Sequence, residues 1–531
     1  MRTALKVMLG LVLVALTLLF NVYHAGVAPK PAVEENPRGH AEWFDKQEYG
    51  LNHVFVSGTP FARGVKFGEL TAHLLEAQED ALTDQLKTWL PYRWMWQVMV
   101  VAAITWYHDI DRYLDPEHLA EMYGVSKAAP KKYEFLADGY TRQVAYHGLH
   151  EVGQMVVDQG FEGMGCTVVA VPKGDTWIVG RNFDFEGGRI FDSEKIVKWV
   201  YPDRGHAFMS VIWAGMVGAV TGVNDKGLYV SINAGGSADF ARVGMPSTLV
   251  LAKVLQEAAS VDEALKVLRE SPMFITDIFV VLDRAGRLVR VEKSPKRVAV
   301  LDLRGPSVVA NHLLAPEFAN DAVNLQRQRE LTTLARQKRG QELAREIPPG
   351  LDARQLTGDV LKVLRDKGVN AAGEPLPLGH RQAIDALIAT HATIYDAVRG
   401  VFYISQGPAL AGAFLGYDIK KSFATRTPVK IAELARDERV SDETFSTVKE
   451  NARKISLAQS LARRKRCADA VNLLENIASE WREHAGYYLA LGDAQACGFQ
   501  KELARASWEK ALKLGPAYAR EERDLRKRLK L

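Results

Sequence analysis

The chain has 531 residues, 47% of them hydrophobic and 25% charged, which suits a folded protein of two or three domains. A net charge of +4 over that length, with no Lys/Arg run interleaved with aromatics, excludes the basic footprint of a nucleic-acid binder. Three cysteines, Cys166, Cys467 and Cys497, cannot build a disulfide scaffold, and no Cys/His spacing of the metal type occurs, so neither a metal nor a cofactor is expected.

Arg2 and Lys6 precede an apolar run over residues 7–20, so residues 1–22 read as a signal peptide or signal anchor. The best small-residue cleavage site ends at Ala28 and is followed by Pro29, which favours an uncleaved anchor. Positive charge ahead of the run leaves the tip in the cytoplasm and sends the rest across the membrane. In a bacterium that is the periplasmic side of the inner membrane. Residues 23–45, with Pro29, Pro31 and Pro37, read as a linker. From 46 to 165 the chain is mostly helical. A short apolar stretch at 53–58 is followed by helical spacing over 61–90, 89–107 and 131–159.

The pattern changes at Cys166. Short β-branched runs lie at 167–171, 176–184, 216–223, 228–233, 279–283, 288–293, 297–303 and 307–311, with two more at 400–405 and 413–417. Asn224-Asp225-Lys226-Gly227 and Asp283-Arg284-Ala285-Gly286 mark hairpins. Helical runs are inserted at 247–259 and 261–269, which gives an α+β layered domain over 166–430. Residues 451–531 are Ala/Leu-rich and helical. Tyr488, Leu491, Gly492, Ala504, Trp508, Ala511 and Pro516 fall at tetratricopeptide spacings, a weaker copy lies 34 residues upstream, and a polar capping helix ends the chain. Such repeats would offer a surface to a protein partner.

Gly165-Cys166-Thr167 opens the first clear strand, and Pro172-Lys173-Gly174-Asp175 reverses the chain. If Val171 pairs with Thr176, Cys166 lies opposite Arg181, with Asp184 just beyond. A thiol of pKa about 8.5 is mostly protonated at neutral pH, and a nearby guanidinium favours the thiolate. No histidine stands close in this local sequence to act as base. The α-amine of Cys166, of pKa about 7.7–8.0, would serve if the chain cut itself between Gly165 and Cys166. On these residues alone, a buried cysteine beside a structural Arg–Asp ion pair explains the pattern equally well.

Gly165-Cys166-Thr167 followed by Gly180-Arg181-Asn182-Phe183-Asp184 resembles the start of the catalytic chain in the isopenicillin-N acyltransferase family. More distantly it is similar to the choloylglycine hydrolase and penicillin V acylase family; both are N-terminal-nucleophile (Ntn) hydrolases. In order follow Val223-Asn224-Asp225-Lys226-Gly227-Leu228 with Ser231-Ile232-Asn233, then Ala310-Asn311-His312, then Thr390-His391-Ala392-Thr393. Upstream, Gly58-Thr59-Pro60-Phe61-Ala62-Arg63-Gly64 looks like the acyltransferase-type N-terminal segment. The resemblance implies an αββα sandwich of two antiparallel sheets. It implies Cys166 as nucleophile after the cut at Gly165, positioned with its amine by Arg181 and Asp184. Asn233 and Asn311 would bind the oxyanion and the amine. The related bile-salt hydrolases carry a later Arg in a Ser-Arg pair, for which Arg327 is the nearest match, without the Ser.

The function so implied is hydrolysis of a linear amide in a small-molecule N-acyl substrate, through an acyl-thioester on Cys166. Transfer of the acyl group to an amine is the alternative. A third reading, from another class, is a catalytically inactive protein that binds partners through its repeats. Export past the membrane favours hydrolysis, because acyl-coenzyme A is a cytoplasmic donor.

Overall fold

The computed structural model describes residues 27–34, 38–89, 92–148, 151, 164–186, 188–370 and 373–531. The signal segment expected over 1–22 and the end of the helix expected over 131–159 lie outside the described residues. Among the described residues no helix is long and apolar enough to cross a membrane.

The β-branched runs form two sheets. The strands, in chain order, begin with β1 (Gly39–Phe44), β2 (Asn52–Gly58), β3 (Met164–Lys173) and β4 (Thr176–Phe185). Next come β5 (Ile196–Pro202), β6 (Phe208–Ile212), β7 (Thr221–Asn224), β8 (Tyr229–Ala234), β9 (Asp277–Leu282) and β10 (Leu288–Lys293). The rest are β11 (Val298–Asp302), β12 (Ser307–Val309), β13 (Ala389–Asp396), β14 (Val401–Ser405), β15 (Phe414–Asp418) and β16 (Lys430–Leu434). The first sheet runs β1-β2-β5-β6-β7-β8-β9-β10-β11 and the second β12-β3-β4-β13-β14-β15-β16. Apart from the parallel β2–β5 pair, the described pairings are antiparallel.

The period-2 alternation decides which side chains fill each layer. Between the sheets, Val168, Ala170, Trp177 and Val179 meet Phe55, Val197, Trp199, Met209 and Val280. On the outer face of the second sheet, Val169, Val171, Ile178 and Ile394 pack on Ala344, Leu356, Val360 and Leu364 of the helices Thr333–Glu346 and Ala353–Leu364. On the outer face of the first, Val54, Val200, Val230 and Ile232 meet Phe67, Met122, Leu251 and Leu255 from helices on that side. The result is the four-layer αββα sandwich expected from the motifs.

Several elements differ from the sequence expectation. Gly39–Phe44 of the expected linker is an edge strand. The run at 216–223 becomes a strand only at Thr221, because Met216 first closes a turn onto the Trp213 carbonyl and Gly215 has a φ of 80°. Strands β5 and β6 are not among the expected runs; in β5 the polar Lys198 is itself buried, which breaks the alternation. The segment before Cys166 supplies β1 and β2 to the first sheet. Buried ions and a backbone bond tie it across: Lys198 Nζ is 2.8 Å from Glu121 Oε1, and the Val217 N–H donates to His147 Nε2 at 2.8 Å.

Residues 442–529 carry the helices Asp442–Arg463, Cys467–Glu475, Ala485–Cys497, Lys501–Leu514 and Ala519–Leu529. Small residues at their contacts, among them Ala458, Ala470, Ala490 and Ala494, let the helices approach closely. Cys467 and Cys497 are disulfide-bonded, with Cα atoms 5.5 Å apart. Cys166 is a free, buried thiol.

Candidate active site

The hairpin that carries Cys166 is tighter than the sequence suggested. Gly174, at a φ of 60°, makes a two-residue turn with Asp175, so Lys173 pairs with Thr176. Every partner on β4 moves by two residues relative to the expected register. Cys166 therefore opposes Phe183, Arg181 opposes Val168, and Asp184 opposes Gly165. A shift of two preserves the face, so Cys166 and Arg181 still point the same way, into the space between the sheets. Asp184 points to the other face, toward the helix Thr333–Glu346.

On the inter-sheet face, Arg181 Nη2 lies 3.8 Å from the Cys166 sulfur. The guanidinium is fully buried and spans to the other sheet. Its Nη1 donates to the Val220 carbonyl at 3.0 Å and to Thr221 Oγ1, its Nη2 to the Ile232 carbonyl, and its Nε to Asn233 Oδ1 at 3.4 Å. Phe183 stacks on His391 and stands against Trp213, so aromatic rings flank the sulfur. Burial pushes the Cys166 thiol up, against the opposing pull of Arg181. The sulfur of the uncut chain is therefore held protonated at neutral pH.

The backbone of Cys166 is held as closely as its side chain. Its N–H donates to Asn311 Oδ1 at 2.8 Å. Its carbonyl accepts from Arg336 Nη1 at 2.6 Å, and the same nitrogen reaches Thr167 Oγ1 at 2.9 Å. Arg336 Nη2 donates to Asn311 Oδ1 at 2.7 Å, so one amide oxygen joins the arginine to the Cys166 nitrogen. Asn311 Nδ2 donates to the Ala234 carbonyl at 2.9 Å. Asn233 Nδ2 donates to the Val309 and Ala310 carbonyls at 3.1 and 3.2 Å. The ends of β8 and β12, from different sheets, are thus laced together beside the sulfur.

Asp184 is 3% exposed, and burial pushes its carboxyl up to about 7, with Arg336 pulling the other way. A Cβ at Gly165 would lie 3.4 Å from both Asp184 Oδ2 and Arg336 Nη2. The bond expected to be cut therefore sits over this carboxylate–guanidinium pair.

The structure brings together Cys166, Arg181, Asp184, Asn233 and Asn311. It does not place Arg327 on Cys166. Arg327 Nη1 donates to the Gly235 carbonyl and its side chain covers Gly236, two residues beyond Ala234. Arg336, which sequence reasoning missed, makes the contact instead. The resemblance pointed to a Ser-Arg pair, and Arg336 follows Ala335. The imidazoles nearby are poor bases. Burial pushes His312 down to about 3 and His391 well below its usual range, and they bond to Thr333 and Thr221 rather than to Cys166.

Residues 171–374 match the family model described as acyl-coenzyme A:6-aminopenicillanic acid acyl-transferase. Arg181, Asp184, Asn233, Asn311 and Arg336 fall inside the matched segment, and Cys166 lies just ahead of it. An uncharacterized protein of Archaeoglobus fulgidus is 26% identical over 166 residues, which are 27% of this chain and 28% of that protein. The chain thus spans less than a third of that relative's length. Among solved structures, the N-acylethanolamine-hydrolyzing acid amidase ortholog of Caenorhabditis elegans aligns with a TM-score of 0.32 at 14% identity, over 44% of this chain and 93% of that one. A variant of the conjugated bile acid hydrolase of Clostridium perfringens aligns with a TM-score of 0.34 at 14% identity, over 52% of this chain and 100% of that one. Over residues 171–374, which include most of the site and much of both sheets, the chain is thus similar to the acyl-coenzyme A:6-aminopenicillanic acid acyl-transferase family.

Proposed function

We propose that this protein is a precursor that cuts itself between Gly165 and Cys166 and then hydrolyses a linear amide of an N-acyl substrate. The observation that carries the reading is the separate restraint of three groups of one residue. The Cys166 nitrogen rests on Asn311, its carbonyl on Arg336, and its sulfur beside Arg181. A merely packed cysteine needs none of these.

In the first reaction the Cys166 sulfur attacks the Gly165 carbonyl carbon. The C–S bond forms, the C–N bond breaks, and the thiol proton passes to the leaving nitrogen. Water then hydrolyses the thioester, which frees a Gly165 carboxylate, the thiol, and the α-amine of Cys166. In the second reaction that amine, held on Asn311 Oδ1, takes the thiol proton as the sulfur attacks the substrate carbonyl. The ammonium so formed protonates the departing amine, and water resolves the acyl-thioester. Arg181 stabilises the thiolate. Asn233 Nδ2 is committed to two carbonyls, whereas Asn311 Nδ2 holds one, so Asn311 is the better placed of the two to meet the oxyanion.

The rings of Phe183, Trp213 and Phe191 support an apolar acyl group. The Cys467–Cys497 bond supports export to an oxidising compartment, with residues 1–22 as the anchor. Acyl transfer to an amine uses the same thioester and differs only in what resolves it.

Denaturing gels of the purified chain should show two fragments split before Cys166, and Cys166→Ala should run as one. The cut protein should release acyl groups from some member of a panel of N-acyl amides. A native chain that stays whole would falsify the free-amine mechanism.

A further inference from the structure

The C-terminal helices lie against the catalytic domain on the side where Asp184 and Arg336 face the scissile bond. Val440 and Phe445 are buried in the same core as the helix Ala353–Leu364 and the outer face of β3 and β4. The loop before β13 is gripped along three consecutive residues. His380 Nε2 approaches the Gly515 carbonyl at 3.5 Å, Gln382 Nε2 donates to the Ala517 carbonyl at 2.9 Å, and Arg381 between them turns inward to Glu186. Lys449, on the helix Asp442–Arg463, stands 3.6 Å from the other oxygen of Glu186. Arg523, in the last helix, pairs with Glu330 at 2.6 Å, just before the helix that carries Arg336.

Glu186 follows Asp184 by two residues, just past the end of β4 at Phe185. Arg381 Nη1 is buried with no hydrogen-bond partner among the described residues, while Nη2 holds Glu186. Asp184 Oδ1 is likewise buried without one. Charged groups acting on Asp184 are Arg336 from its helix, Arg381 and Asp385 from the loop, and Arg181 from β4. The C-terminal region therefore places Lys449 beside the same carboxylate that Arg381 holds, two residues on from Asp184.

We propose that Arg381 is a positioning residue for self-cleavage, and that the C-terminal helices complete the active site by clamping it against Glu186. This rests on the self-cleavage reading above. The guanidinium keeps a positive charge facing Asp184, which lets that carboxyl ionise beneath the Gly165–Cys166 bond and hold the nitrogen that departs from Gly165. Loss of the charge leaves Asp184 protonated to higher pH, and the acid limb of the cleavage profile moves up with it.

The test is the rate of precursor disappearance between pH 5 and 9 for the full chain, Arg381→Gln, Arg381→Lys and Gln382→Ala, which removes the bond to the Ala517 carbonyl, with melting temperatures recorded for each. Arg381→Gln should cut at least about tenfold more slowly at pH 7 and recover at higher pH. Arg381→Lys should restore most of the rate, and Gln382→Ala should move the acid limb up, as Arg381→Gln does, without a matching loss of melting temperature. Wild-type rates in Arg381→Gln, or equal loss in the Gln and Lys variants tracking their melting temperatures, would overturn the positioning role alone. A wild-type chain that never cuts overturns the self-cleavage reading, and this proposal with it.

Discussion

Asp184 is held in place at a cost. It is buried on a strand, and its carboxyl is pushed up to about 7 because the charged form has lost its water. Unfolded, the same group titrates near the ordinary 3.8. Between those values the folded chain binds more protons than the unfolded one, so stability falls as pH rises through that window. The penalty is absent below the lower value and complete above the upper one. In a Cys166→Ala background, which keeps the chain whole, Asp184→Asn should be more stable than its parent at pH 8 by on the order of 2–4 kcal/mol. The gain should vanish toward pH 4, as read by urea unfolding at several pH values. A constant difference across that range would mean that Arg336 keeps Asp184 ionised throughout. Cys166 and Arg181 could be singled out from a local stretch because both lie on one hairpin. Arg336 could not: it reaches the Cys166 carbonyl from 170 residues away, and an arginine on a polar helix looks like any other.

At the scale of the element, β4 must lie tight against the helix Ala353–Leu364. Gly180 makes this possible. A Cβ there would come within 2.7 Å of Val360 Cγ1 and 2.8 Å of Leu364 Cδ1. Gly180→Val should therefore cost about 1–3 kcal/mol through overpacking, and should also slow self-cleavage, since β4 carries both Arg181 and Asp184. Gly358 is the contrast. It sits in the same helix with nothing within 4 Å of its added Cβ, so Gly358→Ala should raise stability by up to about 1 kcal/mol. Melting temperatures of the two variants should move in opposite directions. The helix was not legible in advance, though it begins with a capping box from Asp352 and Gln355. The hairpin itself was legible, but its register was not. Extending the turn by one pair on each side alters no hydrophobic face, so period-2 alternation cannot distinguish the two registers. Only the left-handed backbone of Gly174 selects the tighter one.

For the whole molecule, the segment before Cys166 is part of the sandwich and not a detachable leader. It supplies β1 and β2, and its Glu121 carboxylate is buried between Lys198 and Arg63, each 2.8 Å away. After the cut, the two fragments should co-elute in gel filtration and separate only in denaturant. Glu121→Gln removes a charge that both buried cations face, and should weaken their association by about 3–5 kcal/mol, seen as separation at lower urea concentration. The sequence by itself determined the layered α+β class, the hairpin that carries Cys166, and the residue types gathered around it, because alternation, turn residues and short motifs are local properties. Tertiary structure alone decided three things: that Asp184 faces a helix layer away from the sulfur, that Arg336 and not Arg327 reaches Cys166, and that the C-terminal helices dock on the loop that carries Arg381. Each depends on which surfaces pack together over long separations, and no local period records that. The hairpin first identified by its cysteine thus has two working faces, one holding the sulfur and one holding the bond expected to break.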